Sequence, residues 1–340
     1  MCVATVAAQE SRWSGMNQQL VEYYRSGRYA EGIAAGAEAL KVAEATFGPS
    51  HSNVATSLNN LAEMYRPIGR YAEAQPLYER ALRIAEVAAG PESPLVAATL
   101  NNMAEMYRTQ GDSARAEPLY RRAIAIREKA TGPDSADVAQ ALNNLALLYA
   151  AQNKPQEAEA LYQRALGNYR NALGEEHPLV AACMSNLAEL YRTQRKFSLA
   201  APLFQKAVEI DEKTGGPNSA RFAADLHNQA LFNADQNKSK EAERLYQRSL
   251  GIKERIYGAD SPALVTTLGN LGALYAGQKR YREAAALWQR ELQIEERSLG
   301  TDRAELAGPL HDLATVYKKM GQADEAAKLE ARARQVSVKP

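Results

Sequence analysis

The chain has 340 residues, more than one compact core usually holds, so it either divides into domains or extends as an array that never needs a single centre. Apolar residues make up 46% and charged residues 24%, a profile that excludes an intrinsically disordered chain. Forty-one Lys and Arg against 40 Asp and Glu give a formal charge of +1, without the positive excess that counterion release exploits, so nucleic acid is not the expected partner.

The opening MCVATVAAQE reads as an N-terminal tail, residues 1–9. Its small apolar residues and Ala-Ala pair match the end of a secretory signal, and Cys2 matches a lipid-acceptor cysteine of an exported protein. The expected location is cytoplasmic, or periplasmic or secreted if the tail is a signal remnant. Cys2 and Cys183 are too few for a disulfide framework or a zinc site, and Cys183 falls on an apolar helix side as a packing residue. No stretch approaches the ~18 apolar residues of a transmembrane segment.

From residue 10 the chain repeats. Glycine marks one loop at Gly48, Gly90, Gly132, Gly174, Gly216, Gly258 and Gly300, always 42 residues apart. Tyrosine recurs at Tyr23, Tyr65, Tyr107, Tyr149, Tyr191, Tyr275 and Tyr317, with Asn233 as the exception, and a second aromatic row runs through Tyr78, Tyr120, Tyr162, Phe204, Tyr246 and Trp288. The expected organisation is eight repeats, about 10–48, 49–90, 91–132, 133–174, 175–216, 217–258, 259–300 and 301–336, before a tail at 337–340.

Within one repeat, Leu58, Leu61, Ala62 and Tyr65 recur at spacings of three and four, which predicts helix A with one buried face. It ends near Gly69, where Gly111, Asn153, Asn237 and Gly321 are equivalent and suit a left-handed residue. Arg195 and Lys279 hold the same place and predict strained turns. Ala74, Leu77, Tyr78, Ala81, Leu82 and Ile84 line a second helix, B, which runs to the Gly loop, and Pro94, Pro178 and Pro262 stand where the next helix A begins. Small residues such as Ala62 and Ala74, or Ala104 and Ala116, let the two helices approach, while stability must come from neighbouring repeats.

The segment AEPLYRRAIAIREKATGPDSADVAQALNNLALLY, Ala116 to Tyr149, resembles the tetratricopeptide repeat of kinesin light chains and their bacterial relatives at the small-residue, Gly and Tyr positions. The resemblance covers residues 10 to 336. It implies an all-α fold, a right-handed α-solenoid, and a non-enzymatic scaffold that binds an extended peptide or protein segment in its concave groove. No heptad coiled coil accompanies the repeats, so attachment to a motor is not implied.

Asparagine forms a further row at Asn60, Asn102, Asn144, Asn186, Asn228 and Asn270, replaced by Asp312, one step before the buried leucine of helix A. An amide there both donates and accepts, as the main chain of an extended peptide requires. In the family that the chain resembles, matching asparagines hold the ligand's backbone. The alternative is that each Asn bonds a neighbouring helix and ties repeats together. Asn59, Asn101 and Asn143 add a second amide in the early repeats. Glu63 with Arg66, Glu105 with Arg108 and Glu189 with Arg192 continue the same stripe, either as groove charges or as pairs on a solvated face. Leu147, Ala150, Leu231, Ala234, Ala273 and Ala276 replace them elsewhere, so charged and apolar stretches alternate. On this reading, removing Asn102 and Asn144 weakens capture with little loss of thermal stability. Gln229 and Asn233 at core positions predict a loosened joint or a hydrated pocket, or merely a degenerate repeat.

No catalytic residue, metal or cofactor is expected. His51, His177, His227 and His311 are scattered; Gly269 and Gly272 resemble part of a phosphate loop but lie within helix A; Asn237-Lys238-Ser239 is a glycosylation sequon without context. The expected partner is a protein or peptide, with the chain monomeric or weakly self-associating. The alternative function is a sensor or assembly module that acts by self-association or within a larger signalling complex.

Overall fold

The computed structural model describes residues 3–299 and 303–337; Cys2, Gly300 and the tail residues 338–340 lie outside them. Among the described residues sixteen α-helices follow one another: α1 (Val3–Arg25), α2 (Tyr29–Phe47), α3 (Ser52–Tyr65), α4 (Tyr71–Ala88), α5 (Pro94–Thr109), α6 (Ser113–Thr131), α7 (Ala136–Ala151), α8 (Pro155–Leu173), α9 (Pro178–Thr193), α10 (Phe197–Gly215), α11 (Ala220–Asp235), α12 (Ser239–Tyr257), α13 (Val265–Gly277), α14 (Tyr281–Leu299), α15 (Ala307–Lys319) and α16 (Ala323–Ser337). Odd-numbered helices are the A helices and even-numbered ones the B helices of an all-α solenoid of helix hairpins. α1 is already helical from Val3, so most of the segment read as a tail belongs to it.

The chain forms two compact units, residues 1–190 and 191–340. In the first, Ala62, Ala74, Ala104 and Ala116 are fully buried, as close helix crossings require, and Tyr78 and Tyr120 are enclosed behind them. A continuous apolar layer then joins successive hairpins, with Leu58, Ala81, Val96, Leu100 and Ile126 in one cluster. The second unit repeats the scheme around Phe222, Leu226, Tyr246, Leu271, Leu292 and Leu313. Cys183 is buried in packing, and burial pushes its thiol up to about 12.

Caps and turns follow the sequence closely. Ser93, Ser135 and Ser219 accept from the backbone N–H three residues on, and His51 and His177 fill the same role through Nδ1 at 3.1 Å. Two of the scattered histidines are therefore helix caps. Arg195 and Lys279 take φ of 58° and 63°, the strained turns expected of them. Gly132, with φ 83° and ψ 157°, sits in a region essentially closed to side-chain-bearing residues, which explains why glycine holds that loop.

Between B helices runs a spine of ion pairs: Arg80–Glu44, Arg122–Glu86 and Arg164–Glu128 in the first unit, Arg248–Glu212, Arg290–Glu254 and Arg332–Glu296 in the second. Their partial exposure limits each to about 0.2–1 kcal/mol.

In the repeat carrying Gln229 and Asn233 a ring packs beside the lost core positions. Both residues are half-buried, and Phe232, one place before Asn233, turns inward to pack on Phe204 at 5.3 Å and Phe197 at 5.9 Å. The ring lost from the Tyr row returns at the position that holds Met64, Met106 and Leu148 in earlier repeats.

Candidate functional site

The asparagines of the A helices form a ladder. Asn60 Nδ2 donates to Asn17 Oδ1 at 2.8 Å, Asn102 Nδ2 to Asn59 Oδ1 at 3.3 Å, Asn144 Nδ2 to Asn101 Oδ1 at 3.1 Å and Asn186 Nδ2 to Asn143 Oδ1 at 3.0 Å. Each bond joins one A helix to the A helix before it. The tie between repeats is thus real, and Asn59 and Asn101, 8% and 5% exposed, are its buried acceptors rather than open amides. Asn60, Asn102, Asn144 and Asn186 stay half-buried, and each rung engages one of the two N–H groups on the row amide. Asn17 was missed in the sequence, although it stands 42 residues before Asn59.

In the second unit Asn228 is half-buried on α11, and Asn270 Nδ2 meets His227 Nε2 at 3.2 Å, so an imidazole replaces the acceptor amide. Because an amide nitrogen only donates, Nε2 is the acceptor, and the proton on Nδ1 goes to Thr267 Oγ1 at 3.2 Å. Burial and nearby Lys253 push the His227 pKa down to about 4, which keeps the ring neutral and the rung intact.

One turn further along, the first two acid–base couples are formed, with side chains mostly but not wholly buried. Arg66 bonds Glu63 and, at 2.8 Å, the Tyr24 hydroxyl, with side-chain exposure of 15% and 20% for Arg66 and Glu63. Arg108 holds Glu105 through two bonds of 2.6 and 2.8 Å. The buried tyrosines of the B helices reach the same acids: Tyr78 donates to Glu63, and Tyr120 to Glu105 at 2.8 Å. Burial raises the Glu105 pKa, but the bonds from Arg108 and Tyr120 outweigh it and hold the carboxyl below its usual range. Glu189 is half-buried at the end of the first unit, whereas Arg192, in the second, pairs with Asp235. Tyr24, Tyr78 and Tyr120 were missed as partners, since their offsets become visible only once the hairpin is folded.

Gly269 and Gly272 have a packing reason. A methyl on Gly272 would stand 2.7 Å from Trp288 Nε1, and one on Gly269 would stand 2.9 Å from Glu291 Oε1. Glycine opens helix A where helix B carries oversized residues.

Residues 22–86, 54–129, 95–171, 137–213, 222–294 and 266–337 match the tetratricopeptide repeat, and the chain belongs to that family. Its repeats are of the kinesin-light-chain-like kind. Among solved structures it is similar to BtubC (BKLC) from P. vanneervenii (24% identity, 68% of this chain and 90% of that one, TM-score 0.56). It is also similar to a kinesin light chain with nearly identical repeats from Podospora anserina (25% identity, 61% and 96% covered, TM-score 0.50). The fold is shared over 96% of this chain and 97% of the other with a Rap protein complexed with Competence and Sporulation Factor (14% identity, TM-score 0.60). No curated protein matches. Among the described residues no helix is long and apolar enough to cross a membrane.

Proposed function

We propose that the chain is a non-enzymatic scaffold that holds the main chain of an extended polypeptide along the A-helix face of its first unit. The observation that carries this reading is the amide row Asn60, Asn102, Asn144 and Asn186, half-buried and fixed in orientation by the ladder beneath it. A side chain already immobilised loses little further entropy when it binds, so a pinned amide with hydrogen-bonding capacity to spare is pre-organised for a peptide backbone. The flanking stations give selectivity: Glu63–Arg66 and Glu105–Arg108 favour polar ligand side chains, and Leu147 and Ala150 favour apolar ones. With A helices on the order of 10 Å apart and an extended chain rising ~3.3 Å per residue, one repeat meets every third ligand residue.

A peptide array probed with the intact chain and with Asn102→Ala/Asn144→Ala, below the melting temperature of both, tests the reading. Gly132→Ala, strained in a loop away from the row, controls for lost stability. Capture should persist in the control and disappear in the double variant. Equal capture by both, or equal loss, would contradict a role for the row in binding.

A further inference from the structure

The amide ladder ends in acid. At its last rung the acceptor position is Gly269, which has no side chain, and the donor position is Asp312, which has no amide. The space above Gly269 is filled from α14 by the Glu291 carboxylate, whose oxygens lie 2.9 and 3.1 Å from where a glycine methyl would be. In preceding repeats this helix B position is a small, fully buried residue: Ala81, Ala123, Ala165, Ala207 and Ser249. Glu291 is 8% exposed, and its Oε2 has no hydrogen-bond partner. Glu295, one turn along α14, carries a second buried oxygen in the same state, and Asp312 on α15 is exposed, its charge acting on Glu291.

We propose that Glu291, Glu295 and Asp312 form an acidic socket in the second unit that takes the guanidinium of an arginine side chain on a bound polypeptide. A buried carboxylate without a donor is expensive, and a planar, weakly hydrated fork of N–H groups satisfies two carboxylates at once. Acidic neighbours raise the acids of α14, Glu305 acting on Glu295 after burial, while His311 lowers Asp312 against the effect of burial. Among the described residues, no three His, Cys, Asp or Glu side chains are grouped to hold a metal ion. Burial, then Glu295 and Asp312, push the Glu291 pKa up to about 8, so the empty socket keeps a proton that an arriving cation displaces. The polypeptide as carrier rests on the reading of the A-helix face above, whereas the socket itself is tested with a small probe and fails or stands separately.

Trp288, one turn before Glu291 and hydrogen-bonded to the Gly269 carbonyl at 3.2 Å, reports on the site once the other tryptophan is removed as Trp13→Phe. N-acetyl-arginine amide should give a saturable change in Trp288 emission that the uncharged citrulline analogue does not reproduce. The affinity should rise from about pH 6 to about pH 9 as Glu291 ionises, and Glu291→Gln and Asp312→Asn should each weaken binding by about tenfold or more. Glu212→Gln, on the exposed spine, should bind as the parent does. Binding of citrulline equal to that of arginine, a lysine analogue binding as tightly, or both acid variants binding like the parent would overturn the proposal. The last result would leave Glu291 a merely protonated buried acid.

Discussion

Truncating Tyr120 to alanine is expected to cost about 3–5 kcal/mol of folding free energy, the range for removing a fully buried ring. Two effects act together. The ring is completely enclosed between α5 and α6, so its loss leaves a cavity that flanking helices cannot close without separating from their neighbours. Its hydroxyl also donates to Glu105, a half-buried carboxylate that Arg108 holds through two bonds and that Arg66 approaches at 3.8 Å. Tyr120→Phe isolates the second effect and should cost about 1.5–3 kcal/mol, the worth of a hydrogen bond to a charged group. Because the folded-state pKa of Glu105 is lowered, its contribution is present above the unfolded carboxylate range and fades as pH falls through the folded value. Denaturant titrations of the three proteins at neutral and acid pH check both parts: the Phe variant and the parent should converge in acid, whereas the Ala variant should remain the less stable.

The second large effect concerns the ladder. From the sequence alone, Asn102→Ala with Asn144→Ala should barely change thermal stability. The structure reverses that expectation, because the donors removed are those that satisfy the Oδ1 atoms of Asn59 and Asn101. An acceptor left buried and unpaired costs about 1–3 kcal/mol, so the double variant should lose about 2–6 kcal/mol. The two rungs share the stretch from α3 to α7, so the losses should not be strictly additive. Replacing both members of a rung, as in Asn59→Ala/Asn102→Ala, removes donor and acceptor together and should cost less per rung than removing the donor alone. A double-mutant cycle measured by denaturant unfolding decides this.

The 42-residue period made the hairpin, its crossings and its turns legible, down to the strained Arg195 and Lys279, because those features depend on residue type at fixed spacing. The ladder was half legible. The doublets Asn59-Asn60, Asn101-Asn102 and Asn143-Asn144 were visible, but the bonds span 43 residues, one more than the period, so a residue pairs with its neighbour's equivalent in the previous repeat. Reading single rows in register hides that offset. The Tyr–Glu bonds, 15 residues apart, are set by how far the B helix folds back on the A helix. Phe232 shows how a core position lost at Asn233 is refilled from the adjacent place, which no single row records. Glu291 was overlooked because the run QRELQIEER reads as a charged, solvated helix face. Only its place in an otherwise Ala and Ser row, opposite Gly269, reveals that it points inward.

The claim that the pinned amide row holds a ligand's main chain is tested most directly by altering the ligand and leaving the ladder untouched. A peptide selected on the intact chain, remade with single backbone N-methyl groups at successive positions, keeps its side chains while losing one N–H and gaining bulk at each site. Affinity should drop about tenfold or more at positions about three residues apart, the spacing of the repeats, and change little between them. Uniform affinity across the N-methyl series would show that the row is purely a tie between repeats and that the ligand is held by side chains elsewhere.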